Sequence, residues 1–180
     1  SCDFTGRQLR TEGLVNVPAP LRVGGPPLLL GGSGERKTIP MAARRADAIN
    51  FNCMVDEVPH KMEVLHRSLD AVGRDRDDIN VTLLVSLVTA EGHAEVEDLL
   101  RNMVRGRGMD PAMLDDAGFR AGLTSRMLVG TWDEIAERLG TLMGQGIDGC
   151  SFMLPAHVSD ATGPESVAEA LRRAGLITRR

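Results

Sequence analysis

The sequence predicts an α/β fold built on a parallel sheet: a TIM-type (β/α)8 barrel, of which this chain is the C-terminal half, about four βα units. Three observations carry that prediction. Short apolar runs alternate with stretches of helical period over residues 26–180. The strongest run, Ile79 to Val88, is β-branched and apolar almost throughout, as a strand covered on both faces must be. Strict alternation of strands and helices requires parallel pairing through right-handed crossovers, in a sheet either open and doubly wound or closed as a barrel. A whole barrel takes about 250 residues, so four strands in 180 residues with an unpatterned start fit its second half.

Taken in order, residues 1–25 hold Gly6, Gly13, Pro18, Pro20, Gly24 and Gly25 with no sustained period, and read as an extended loop. The stretch lacks an initiator Met and resembles the interior of a longer polypeptide, so an excerpt or processed product is expected. Residues 26–180 then form the half-barrel. Pro27-Leu28-Leu29-Leu30, bounded by prolines and glycines, is the first strand. Ile39, Met41, Ala42, Ala43 and Ala46 mark a helix, and Ala48 to Phe51 a second short strand. Val58, Met62, Leu65, Leu69 and Val72 recur at spacings of four, three, four and three, one face of a helix closed by Gly73. Ile79 to Val88 is the third strand, and Val96, Leu99, Leu100, Met103 and Val104 face a helix. Gly106 to Ser125 is an excursion with one short helix around Pro111 to Asp116. Thr131-x-x-Glu134 is a capping box opening a helix from Asp133 to Met143, ended by Gly144 and Gly146. Ile147 to Leu154 is the fourth strand. Pro164 to Leu176 is the last helix, with Pro near its first position.

Composition narrows the function. With 42% hydrophobic and 26% charged residues and a net charge of -4, the chain buries a core without disulfide support. Its three cysteines, Cys2, Cys53 and Cys150, make a poor disulfide framework, and a reducing cytoplasmic compartment follows. No apolar run reaches the 18 or so residues of a membrane span, and the start lacks the charged and apolar regions of a signal peptide. A pI of about 5.6, no tyrosine, four Phe and one Trp exclude the basic, aromatic surface on which nucleic acids stack.

The segment with most chemistry is Leu30-Gly31-Gly32-Ser33-Gly34-Glu35-Arg36-Lys37-Thr38, a glycine-rich turn from a strand end to a helix start. Glycines let a ligand approach the backbone, and free N–H groups at a helix N-terminus favour an anion such as phosphate. Ser33 and Thr38 add hydroxyls, and Arg36 or Lys37 adds charge. The plain alternative is a helix-entry loop that binds nothing. The spacing is neither that of a Walker loop nor G-x-G-x-x-G. His60, His66, His93 and His157 are scattered without H-E-x-x-H or C-x-x-C, so no metal site is expected. His157, after the last strand where barrel active sites gather, is a ligand-contact candidate, and Asn50 and Asn52 are placed by the same logic. The other histidines read as solvated surface, Phe51, Cys53 and Cys150 as core, and Asp75, Asp77 and Asp78 as a solvated loop. No catalytic residue is identified.

These segments together resemble a known family. Phe4-x-Gly6, Pro26 to Gly34, Ala42-Ala43-Arg44-Arg45-Ala46-Asp47-Ala48-Ile49-Asn50, Leu69 to Asp75, Val129-Gly130-Thr131 with Glu137-Arg138-Leu139, and Gly146-Ile147-Asp148-Gly149 are similar to bacterial luciferase-like monooxygenases, particularly their deazaflavin-dependent branch. The resemblance covers nearly the whole chain and is specific only in combination. It implies an eight-stranded barrel binding coenzyme F-420, a deazaflavin, or in relatives FMN, at the C-terminal ends of its strands. It assigns cofactor contacts to Gly31, Gly32, Ser33, Gly34 and Thr38, and implies hydride transfer with a small organic substrate. It further implies a missing N-terminal half. The chain is then expected either to associate with that half or to form a homodimer. The alternatives are an FMN-dependent monooxygenase of the same family and a non-catalytic half-barrel that keeps only a phosphate-binding turn.

Overall fold

The computed structural model describes residues 2–155, 163–173 and 175. The chain enters through an antiparallel hairpin, β1 (Cys2–Thr5) and β2 (Arg10–Leu14), where a loop was expected. Local bonds hold it rather than a buried face. The Gly6 amide donates to the Leu9 carbonyl at 2.8 Å, and the Gly13 amide to Asp3 Oδ1 at 2.6 Å. Both strands are largely exposed, so they carry no apolar alternation for the sequence to display.

Five parallel strands follow, not four: β3 (Leu29–Gly31), β4 (Ala48–Phe51), β5 (Asn80–Ala90), β6 (Met127–Thr131) and β7 (Gly149–Met153). β6 was not expected as a strand, because its three apolar residues run straight into a helix cap. β4 pairs with Asn80 to Leu83 and β7 with Thr82 to Ser86. Both therefore pair with Thr82 and Leu83, which places them on opposite edges of β5. β6 takes the far half of β5, Ser86 to Ala90. The order β3-β4-β5-β7 thus adds each new unit on the same side, which winds a sheet into a barrel wall rather than an open doubly wound layer.

The helices between the strands are α1 (Thr38–Arg45), α2 (Val58–Asp70), α3 (His93–Gly106), α4 (Ala117–Thr124), α5 (Trp132–Gly144) and α6 (Gly163–Arg173). The excursion before β6 holds a 3-10 turn, Pro111–Asp115, and α4, one helix more than expected. One core joins the sheet to α1, α2, α5 and α6: Ile49, Phe51, Val81, Leu83 and Leu87 meet Ile39, Leu65, Leu69, Ile135 and Ala170. Each such Leu or Ile contributes about 1.5–3 kcal/mol by leaving water. A smaller core, Val88, Leu100, Met103, Val104 and Leu114, lies under α3 on the far half of β5. The remaining face of the sheet, carrying Gly31, Asn50, Thr82 and Gly149 in register, is more open: Leu29 is 57% exposed and Met153 49%.

Charged side chains tie the N-terminal ends of the strands together. Asp47 Oδ2 accepts the Leu28 amide at 2.7 Å. Asp148 Oδ2 accepts the Val81 amide and the Arg76 guanidinium, each at 2.7 Å. Arg76 also donates to the carbonyls of Ile79 and Gly146. Arg74 donates to the Ala43 and Ala46 carbonyls at 2.8 and 3.0 Å, closing the C-terminus of α1.

Candidate functional site

At the opposite end of the sheet, residues 32–37 link β3 to α1. The Gly32 amide continues the sheet by donating to the Asn50 carbonyl at 2.9 Å, and Ser33 Oγ accepts the Asn52 amide at 2.8 Å. The Ile39 amide reaches back to the Gly34 carbonyl at 3.0 Å, so the turn closes onto the helix. Between these anchors the amides of Ser33, Gly34, Glu35, Arg36 and Lys37 have no hydrogen-bond partner among the described residues. Consecutive free N–H groups at the positive end of a helix are donors that an anion could accept from.

The glycines have separate reasons. Gly32 has φ +125°, a backbone region that side chains rarely adopt, and a Cβ there would lie 3.4 Å from Thr38 Cγ2. At Gly34 a Cβ would come within 3.0 Å of Thr38 Oγ1, and at Gly31 it would meet open space. Thr38 therefore sits against Gly32 and Gly34 with its hydroxyl toward Gly34, while Gly31, the last residue of β3, has open space where a side chain would be.

Sequence reasoning placed charge at this turn on Arg36 or Lys37 and missed the ion pair that Glu35 makes with α2. Glu35 Oε1 accepts from Lys61 Nζ at 2.6 Å and lies 3.0 Å from His60 Nε2, both on α2. The Lys61 bond holds the Glu35 carboxyl below its ordinary range and raises the ammonium of Lys61 in turn. Twenty-six residues separate Glu35 from Lys61, beyond any local pattern in the sequence. Under the turn, burial pushes the Cys53 thiol up, and the Ser33 hydroxyl opposes part of that rise.

The remaining candidates divide. Asn50 lies on the open face beside Gly31 with its Oδ1 buried and unpaired among the described residues, while Asn52 is exposed and Phe51 is core, as expected. His60 and His66 lie exposed on α2, and His93 begins α3, 3.8 Å from Glu134. His157 lies outside the described residues. No cluster of metal-binding side chains occurs among the described residues, and no helix in them is long and apolar enough to cross a membrane.

The model of the luciferase-like monooxygenases matches residues 1–149 of the chain. Among solved structures, the chain is similar to EDTA monooxygenase from Chelativorans sp. BNC1, at 20% identity and TM-score 0.74 over 99% of this chain and 53% of that one. An F-420-dependent secondary alcohol dehydrogenase in complex with an F-420–acetone adduct matches at 12% identity and TM-score 0.72, over 96% and 56%. A riboflavin lyase with modified FMN and riboflavin matches at 20% identity and TM-score 0.69, over 98% and 49%. The chain spans about half the length of these structures. No curated protein sequence matches it.

Proposed function

Because the chain belongs to the luciferase-like monooxygenase family, we propose that it is the C-terminal half of the barrel of a deazaflavin-dependent oxidoreductase acting on a small organic substrate in the cytoplasm. The observation that carries this reading is the row of five free amides, Ser33 to Lys37, at the C-terminal end of the sheet, where barrel enzymes place their ligands. Those amides suit the phosphate of coenzyme F-420 or of FMN. Ser33 Oγ accepts from Asn52 and keeps its own proton to donate, and the Thr38 hydroxyl lies beside Gly34. Gly32 acts through shape, since its amide is already used by Asn50. When bound, the deazaflavin supplies a two-electron hydride carrier. The chain's own part is to seat the phosphate and to present Gly31, Asn50, Thr82 and Gly149 on the face toward the barrel interior.

The outer edges favour a partner for this half. Among the described residues β3 pairs only with β4 and β7 only with β5. A groove of about 220 Å³ lined by Leu139, Met143, Cys150, Phe152 and Leu171 opens beside β7. The N-terminal half of a longer barrel, or a second copy, would cover these edges. Neither nucleic acid nor a membrane is a partner in this reading.

The test is a fluorescence titration of the chain with oxidised coenzyme F-420, with FMN in parallel. Saturable F-420 binding that Gly34→Val abolishes is the expected result. The second reading, FMN with oxygen as co-substrate, rests on similarity to both the EDTA monooxygenase and the riboflavin lyase. It predicts the reverse preference and oxygen consumption. Retention of F-420 affinity by Gly34→Val would remove the turn from the site.

A further inference from the structure

The glycine turn is anchored at its two ends only. Gly32 is bonded to Asn50 in β4, Ser33 to the Asn52 amide just after it, and Gly34 to the first turn of α1. Lys37 is tied to α1 by its carbonyl, which accepts the Met41 amide at 3.0 Å. Between the two ends, at residues 35 and 36, the amides make no bond among the described residues, and the turn is held there by the Glu35 carboxylate on Lys61 and His60 of α2. The Lys61 side chain is only 12% exposed, which is unusual for lysine unless it is paired. A glycine-rich segment has much conformational freedom to lose, and five free amides converge on one anion only if something holds them in place.

Charge adds a second consequence. An unpaired carboxylate at position 35, inside a row of anion-binding amides, would repel the ligand those amides attract. Lys61 cancels that charge as well as fixing its position.

We propose that Lys61, through Glu35, is a positioning residue for the glycine turn: it holds the anion-binding amides in one arrangement and neutralises the carboxylate that lies among them. The assignment of a cofactor phosphate to the turn rests on the function proposed above, whereas the ordering of the turn does not. The two effects separate by variant. Lys61→Met releases the turn and bares the Glu35 charge. Glu35→Gln releases the turn without leaving a charge. Lys61→Arg keeps both contacts.

The deciding measurement is backbone 15N relaxation on the whole chain, which reads picosecond-to-nanosecond order. The expected result is rigid order parameters, about 0.85, at residues 33–37 of the unaltered chain, falling below about 0.6 in Lys61→Met and Glu35→Gln while the β5 amides stay unchanged. Lys61→Arg should restore them. An unchanged turn in both variants overturns the proposal, as does a loss of order spread evenly over the molecule. Glu35 is surface-placed, so its variant decides the matter if Lys61→Met fails to fold.

Titration with oxidised coenzyme F-420 then tests the charge effect. Lys61→Met should lose at least tenfold in affinity, Glu35→Gln less, and the double variant should recover part of the loss. Equal losses in the two single variants overturn the neutralising role. If the unaltered chain binds neither F-420 nor FMN, the proposed function fails, and the relaxation data still decide whether Lys61 orders the turn.

Discussion

The two ends of the sheet treat their backbone groups in opposite ways. At the N-terminal ends of the strands, Asp47, Arg74, Arg76 and Asp148 take up the amides and carbonyls left by α1, β3, β5 and the α5–β7 connection. At the C-terminal ends, five amides in a row are left without a partner among the described residues, and the one carboxylate in that row, Glu35, is paired with Lys61. In a barrel wall the first arrangement serves stability and the second serves ligands. Substitutions at the two ends should therefore separate folding from binding.

The largest expected loss of stability comes from the satisfied end. Arg74→Ala removes a guanidinium from the Ala43, Ala46 and Asp78 carbonyls and should cost about 3 kcal/mol, read as a lower denaturant midpoint. Arg74→Lys should regain less than half of that, because one ammonium cannot reach all three carbonyls in the same geometry. Next, Gly146→Ala should cost about 1–2 kcal/mol. Gly146 has φ +96°, and a Cβ there would lie 2.9 Å from the Met62 methyl.

A smaller effect is expected at alkaline pH. Burial pushes the Cys150 thiol up to about 11 and raises that of Cys53. The unfolded chain ionises its cysteines near pH 8.5, so these two contribute stability below that pH and lose it as pH rises toward their folded values. A stability profile that stays flat between pH 8.5 and 11 would contradict this. Glu35 and Lys61 shift in the opposite sense, each toward its charged form. Their pairing holds fully above the ordinary glutamate value of about 4.3 and below the ordinary lysine value of about 10.4, and fails only beyond their shifted values.

The smallest effect on stability belongs to the C-terminal ends of the strands. Gly34→Val crowds Thr38, whose Oγ1 would lie 3.0 Å from the new Cβ, and should cost no more than about 1 kcal/mol, yet it should abolish F-420 binding. If it unfolded the chain instead, the contrast between the two ends would collapse.

Much of the wall was legible before the structure. The amphipathic spacing from Val58 to Leu69, the apolar run of β5 and the Thr131–Glu134 box all act over a few residues, and each appears where it was expected. In the capping box the Thr131 amide donates to Glu134 Oε2 at 2.8 Å. What failed was of another kind. The β1–β2 hairpin buries almost nothing, and β6 is strand only because Ser86 to Ala90 lies beside it. The glycine turn was visible as a segment, but its Glu35–Lys61 bond was not.

The sequence by itself determined the alternation of strands and helices, the glycine turn and its order before α1, and the family to which they belong. Those properties follow from periodicity, capping and glycine chemistry, all of which act between near neighbours. The tertiary structure alone decided that β7 pairs with β5, that Arg74 closes α1, and that Lys61 of α2 neutralises Glu35. Such contacts depend on how whole elements pack in space, and a polar pair distant in sequence leaves no periodic trace in the chain.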